Sequence, residues 1–83
     1  MTPEQCRAAR ALLRWTVQDL HKASGVAAHT ISTFEARSAP DRKFRTATLT
    51  TLQLAFERAG IEFLGDGAPG VRLHAESASA PRR

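Results

Sequence analysis

The chain holds one cysteine, Cys6, so it can form no internal disulfide and no zinc site built on several thiolates. It has no tyrosine, one tryptophan and four phenylalanines, so most of its core must come from Leu, Ile, Val and Ala. Its three histidines, His21, His29 and His74, lack metal-ligand spacing, and no acidic residue stands four positions from any of them. Neither metal nor cofactor is expected. No apolar run approaches the roughly 18 residues needed to span a bilayer. Arg7, Arg10 and Arg14 interrupt the N-terminal stretch and deny it the apolar centre of an export signal. The expected compartment is the cytoplasm, with no membrane partner. No Ser/His/Asp set or pair of carboxylates occurs at meaningful spacing, and GDGAPG (65–70) lacks the context of a nucleotide-binding loop. No catalytic residue is assigned, and an enzyme is not expected.

What is present fits one small domain. Eighty-three residues, 42% of them apolar, lie near the lower limit for a self-sufficient core, so a dimer sharing apolar surface is expected. Twelve Lys and Arg against eight Asp and Glu give a net charge of +4, a balance that suits a polyanionic partner or an anionic surface.

Taken in order, Thr2-Pro3-Glu4-Gln5 predicts a helix start, with Thr2 as cap, Pro3 in the first turn and Gln5 closing a capping box. Cys6, Ala9 and Leu13 then form an apolar stripe. Arg7 and Arg14 lie off that stripe in solvent. Arg10 sits at its edge, where a partly buried guanidinium requires an acidic partner. Trp15 is expected in the core at the bend. Thr16 caps a second helix with Asp19 as reciprocal partner, and Val17, Leu20 and Ala23 form its inner face. Gly25 ends that helix, with Val26 returning to the core. A third helix follows over about Ala28–Glu35. Ile31 and Phe34 share its inner face with Ala27 near them; His29, Ser32 and Thr33 point the other way, and Ala28 lies at the margin. Short hydrogen-bonding groups on an outer face, with no long charged side chain, are unusual for a helix that is only solvated.

Residues 36–46 read as a loop in which Arg37, Arg42, Lys43 and Arg45 oppose Asp41, four cations against one anion. A last helix begins at Thr46 or Thr48, carries Leu49, Leu52, Phe56 and Ala59 with Ala55 beside them, and stops at Gly60. The period then alternates. Residues 61–64 and 71–74 are strand candidates of a hairpin that would pair with its copy in a second subunit through Ile61, Phe63, Leu64, Val71 and Leu73. Residues 1–60 thus form a helical domain, 61–74 a dimerisation hairpin and 75–83 a disordered tail.

The series Thr16-x-x-Asp19-Leu20-x-x-x-x-Gly25-Val26-x-x-x-x-Ile31-Ser32-x-x-Glu35 resembles the helix-turn-helix of the Cro/lambda-repressor-like (XRE) family. The likeness runs from about Gln5 to Ala59. It implies a mainly α fold of four helices, closed here by a short hairpin, whose third helix enters the major groove of double-stranded DNA. It implies base contacts by Ala28, His29 and Thr33, with Ser32 and Ala27 contributing, and a structural ion pair between Arg10 and Glu35. Thr16 and Gln18, near a helix N-terminus, join Arg37, Arg42, Lys43 and Arg45 as phosphate-contact candidates.

Three positions depart from the family pattern. Val17 stands where a glutamine often braces the reading helix, Ala27 where Ser or Thr usually caps it, and Ala28 where a longer polar side chain is frequent. Direct readout would then rest on His29 hydrogen bonds and on thymine-methyl contact by Ala or Thr. The function implied is a dimeric transcriptional regulator, most simply a repressor, of bacterial or phage type and nucleoid-associated when bound. A second reading is an antitoxin that binds a toxin protein and regulates its own operon. A third is an adaptor that keeps the fold without DNA.

Overall fold

The computed structural model describes residues 1–36, 44–65 and 68–74. Two reciprocal caps set the first half of the chain. Gln5 N donates to Thr2 Oγ1 at 3.0 Å while Thr2 N donates to Gln5 Oε1 at 2.9 Å, which starts α1 (Pro3–Leu13). Asp19 N donates to Thr16 Oγ1 at 3.1 Å and Thr16 N to Asp19 Oδ2 at 2.9 Å, which starts α2 (Val17–Ser24). The bond from Thr16 N holds the Asp19 carboxyl below its ordinary pKa. Between the two helices Arg14 takes the left-handed conformation, φ 59°, which turns the chain so that Trp15 N reaches Arg10 O at 2.8 Å.

Helices α3 (Ala28–Ala36) and α4 (Thr46–Arg58) follow, then an antiparallel hairpin of β1 (Ile61–Leu64) and β2 (Gly70–Leu73). Its register pairs Ile61 with Leu73 and Leu64 with Gly70. Gly60, φ 102°, makes the exit from α4. Among the described residues the chain is therefore mainly helical, with four helices and one two-stranded sheet, as expected. No described helix is long and apolar enough to cross a membrane.

Each element contributes one stripe to the core. Cys6 and Ala9, Leu20, Ile31 and Phe34, then Leu52, Ala55 and Phe56, and finally Ile61 are buried. Each fully buried Leu, Ile or Phe contributes about 1.5–3 kcal/mol relative to an exposed one. Leu13, Val17, Val26, Leu49, Phe63, Val71 and Leu73 pack around these residues and are only partly enclosed. Phe56 is the hub for rings: Trp15 stacks on it at 5.9 Å and Phe63 meets it edge-on at 6.0 Å.

Trp15 stands half-buried at the bend and packs against the core, as expected. Two expectations need correction. Ala23 is exposed, because Ser24, one turn after Leu20, takes the inward position and donates to Leu20 O at 2.7 Å. Ala27 is exposed and does not join Ile31 and Phe34, because it precedes the first helical residue and the 100° step does not apply to it. Arg7 lies toward solvent, as read, yet its guanidinium donates to the Glu35 carbonyl.

The hairpin is seated on its own domain. Ile61, Phe63, Val71 and Leu73 face inward, and Gln5, itself buried, donates Nε2 to both Leu64 O and Gly70 O at 2.9 Å. A two-stranded ribbon that would be marginal alone is thus held by apolar packing and by one side chain from the opposite end of the sequence. Gln5→Leu leaves two carbonyls without this donor and opens the α1 capping box. It is expected to cost about 2 kcal/mol in urea unfolding, with faster amide exchange in β1 and β2 than elsewhere.

Candidate nucleic-acid interface

The site is built from the α2–turn–α3 unit, and its foundation is the buried Glu35 carboxylate at the C-terminal end of α3. Arg10 Nε donates to Glu35 Oε2 at 2.7 Å and Arg10 Nη2 to Oε1 at 2.6 Å, a two-point bond that fixes the plane of both groups. Cys6 Sγ donates to Oε2 at 3.0 Å, and Arg10 Nη1 also reaches Trp15 O at 3.0 Å. The expected Arg10–Glu35 pair is therefore present, and Cys6 and Arg7 extend it.

Burial works to raise the Glu35 pKa, but hydrogen bonds from Arg10 and Cys6 and the nearby guanidinium charges outweigh it and hold the carboxyl below its usual range. Arg10 shifts upward, mainly through its bond to Glu35. Burial, reinforced by Glu35, pushes the Cys6 thiol well above its ordinary pKa, so it remains a neutral donor. Together these contacts fix the last turn of α3 against α1.

The start of α3 is fixed by the turn before it. Gly25 adopts φ 80° and donates its N–H to His21 O at 2.8 Å. Ser24 Oγ accepts from Val26 N at 3.1 Å, and His21 Nδ1 lies 2.8 Å from Val26 O. Val26 packs on the core, as expected. With both ends held, α3 turns Ile31 and Phe34 inward and leaves His29 and Ser32 exposed, with Ala28 and Thr33 half-buried beside them and Ala27 exposed at the helix start. The five base-contact candidates therefore belong to one continuous stretch of surface.

Ala27 O accepts from Ile31 N at 3.1 Å, so Ala27 occupies the cap position with no side-chain oxygen to offer. The first amides of α3 have no intrahelical partner and remain available to an anion. Thr16 and Gln18 are exposed at the start of α2, but the reciprocal bonds to Asp19 occupy Thr16 N and Asp19 N and bring a carboxylate there. That end of α2 is a weaker anion site than expected.

Arg45 is exposed and precedes α4 without a side-chain cap bond. Phe44, packed edge-on against Phe34 at 5.2 Å, anchors it beside α3. Arg37, Arg42 and Lys43 lie outside the described residues.

Sequence reading missed a shallow groove of about 380 Å³ where the α2–α3 turn meets the first turn of α4. Ser24, Gly25, Val26, Ala27 and Thr30 line one side, and Ala47, Thr48 and Thr51 the other. It places two helix starts without side-chain caps along one groove. The only sequence signal was the pair of candidate starts at Thr46 and Thr48. Chemically the surface offers backbone amides, hydroxyls, an imidazole and one described guanidinium. Among the described residues no group of His, Cys, Asp and Glu is arranged to hold a metal ion.

The Glu35 anchor has a pH signature. Because its folded-state pKa is lowered, the stability it contributes is full above the unfolded value of about 4.3 and is lost as pH falls through the folded value. Glu35→Gln is expected to cost about 3 kcal/mol at pH 7 by leaving Arg10 without its counter-charge. Urea midpoints of the two proteins should converge as pH is lowered toward the folded pKa. Comparison with protein-family models finds no match for this chain, and comparison with curated proteins finds no relative.

Proposed function

We propose that this chain is a DNA-binding transcriptional regulator of the Cro/lambda-repressor-like helix-turn-helix type, acting in the cytoplasm as a dimer on a pseudo-palindromic site. The observation that carries this reading is α3: held at both ends, it leaves His29 and Ser32 exposed on a helix face that itself carries no long charged side chain. In this reading α3 enters the major groove, and His29 supplies hydrogen bonds to a base edge. Ala27, Ala28 and Thr33 meet thymine methyl groups, and Ser32 supplies a short hydroxyl. Arg45, the starts of α3 and α4 along the groove and the cations Arg37, Arg42 and Lys43 grip the phosphates. Half-sites lie about 10 bp apart, centre to centre. The role is one of binding, with no cofactor and no catalytic step, and repression by occupying the site is its simplest outcome.

Dimerisation through the hairpin needs a particular surface. The bond from His74 N to Gly60 O, at 2.8 Å, sets the ladder phase so that the backbone groups of Ile61 and Phe63, and those of Val71 and Leu73, point away from the other strand. Their side chains serve the chain's own core, so a second copy would add by strand-edge pairing and not through that apolar face. The same outward backbone groups favour a second reading, an antitoxin that receives a strand of a toxin protein.

Binding to genomic fragments at several salt concentrations tests the first reading. A preferred fragment should emerge, with a log–log salt slope of about −0.9 per neutralised phosphate. Replacing Arg42, Lys43 and Arg45 together by Ala should flatten that slope and leave the base preference alone, whereas His29→Ala should relax preference at one or two positions. Equal affinity for every fragment would sink the proposal. Sedimentation equilibrium with and without DNA checks the dimer.

A further inference from the structure

The α2–α3 turn is held by side-chain hydrogen bonds from His21 and Ser24 as well as by the core. A carbonyl oxygen can only accept, so His21 Nδ1, 2.8 Å from Val26 O, carries the hydrogen and donates it. This bond spans Gly25, which at φ 80° uses a conformation that its lack of a side chain leaves open, and which is the freest link between the two helices. Ser24 secures the same turn from the other side, bridging Leu20 O and Val26 N. His21 is half-buried and neither belongs to the apolar core nor lies among the exposed groups of α3. Its ring sits on α2 while its partner carbonyl stands two residues before Ala28, the first residue of α3.

We propose that His21 is the positioning residue of the DNA interface, setting the angle at which α3 is offered to the groove. This rests on the DNA-binding reading above. Without the bond from His21 to Val26 O the glycine link relaxes, and the start of α3, where Ala28 and His29 lie, shifts against the base edges. Glu35 keeps the far end in place. Phosphate contacts made by long, flexible cations such as Arg45 can follow such a tilt, whereas base contacts made by the short side chains of α3 cannot.

A pair of amide substitutions separates this role from a structural one. In His21→Asn the side-chain NH2 falls near the place of Nδ1 and can still reach Val26 O. In His21→Gln it falls farther out, near the place of Nε2. Affinities of the full chain for a preferred fragment and for a scrambled fragment of equal length are measured for wild type and both variants, with circular dichroism to establish equal helicity. In His21→Gln the preference ratio is expected to fall about tenfold, the equivalent of one lost base contact, while affinity for scrambled DNA stays within about twofold. His21→Asn is expected to keep the ratio within about threefold of wild type.

A merely structural histidine would weaken both fragments by one common factor, by lowering the folded fraction, and leave the ratio unchanged. An unchanged ratio in His21→Gln, or an equal loss in both variants, overturns the assignment while the DNA-binding reading stands. Absence of any preference in wild type overturns both. Should His21→Gln unfold, His21→Phe, which keeps a ring and removes the donor, is read by the same criteria.

Discussion

A single buried carboxylate sets the geometry of this domain. Glu35 receives hydrogen bonds from Arg10 and Cys6 at its side chain and from Arg7 at its carbonyl, all from successive turns of α1. Such a group is costly to bury alone, and its three partners come from a helix far away in sequence, so the folded arrangement is satisfied only when α3 lies at one rotation and one depth against α1. Apolar packing alone would tolerate some sliding of Ile31 and Phe34. The two-point guanidinium bond does not, because both distances must be met together. The outward direction of His29 and Ser32 follows from this fixed rotation.

Charge and hydrogen bonding divide the labour across the surface that α3 presents. At its far end the ionic contacts are internal and matched, which leaves little net field. At its near end the amides are uncapped and meet the uncapped start of α4 across the groove lined by Thr30 and Thr48. Backbone dipoles at the start of α3 and the guanidinium of Arg45 both add positive charge to this surface. Asp19, by capping α2 with a carboxylate, removes the corresponding contribution from that helix.

Much of the fold could be read from residues whose chemistry acts locally. Thr2 with Gln5, Thr16 with Asp19, and Gly25 and Gly60 each determine a helix end within a few positions, so their signals survive without tertiary knowledge. The need of Arg10 for an acidic partner was also legible, because it follows from helical phase and the cost of burying charge. What stayed hidden depends on contacts between distant segments. That Gln5 would bind the hairpin, that Cys6 would donate to Glu35, and that α4 would contribute its first turn to the groove have no local pattern. Ala23 and Ala27 were misassigned for a related reason. Alanine carries too little apolar signal to report its own facing, and at a helix end the regular rotation on which the reading relied no longer holds.

The clamp made by Gln5 also bears on the order of events as the chain is made. Its acceptors, Leu64 and Gly70, lie 59 and 65 positions farther along the chain. During synthesis α1 to α4 can collapse on one another while the hairpin is still within the ribosome, since their contacts are comparatively local. The polar end of α1 cannot be completed until β2 has emerged. Emergence of the last strand, and not formation of the helix pair, therefore supplies the final partners of Gln5.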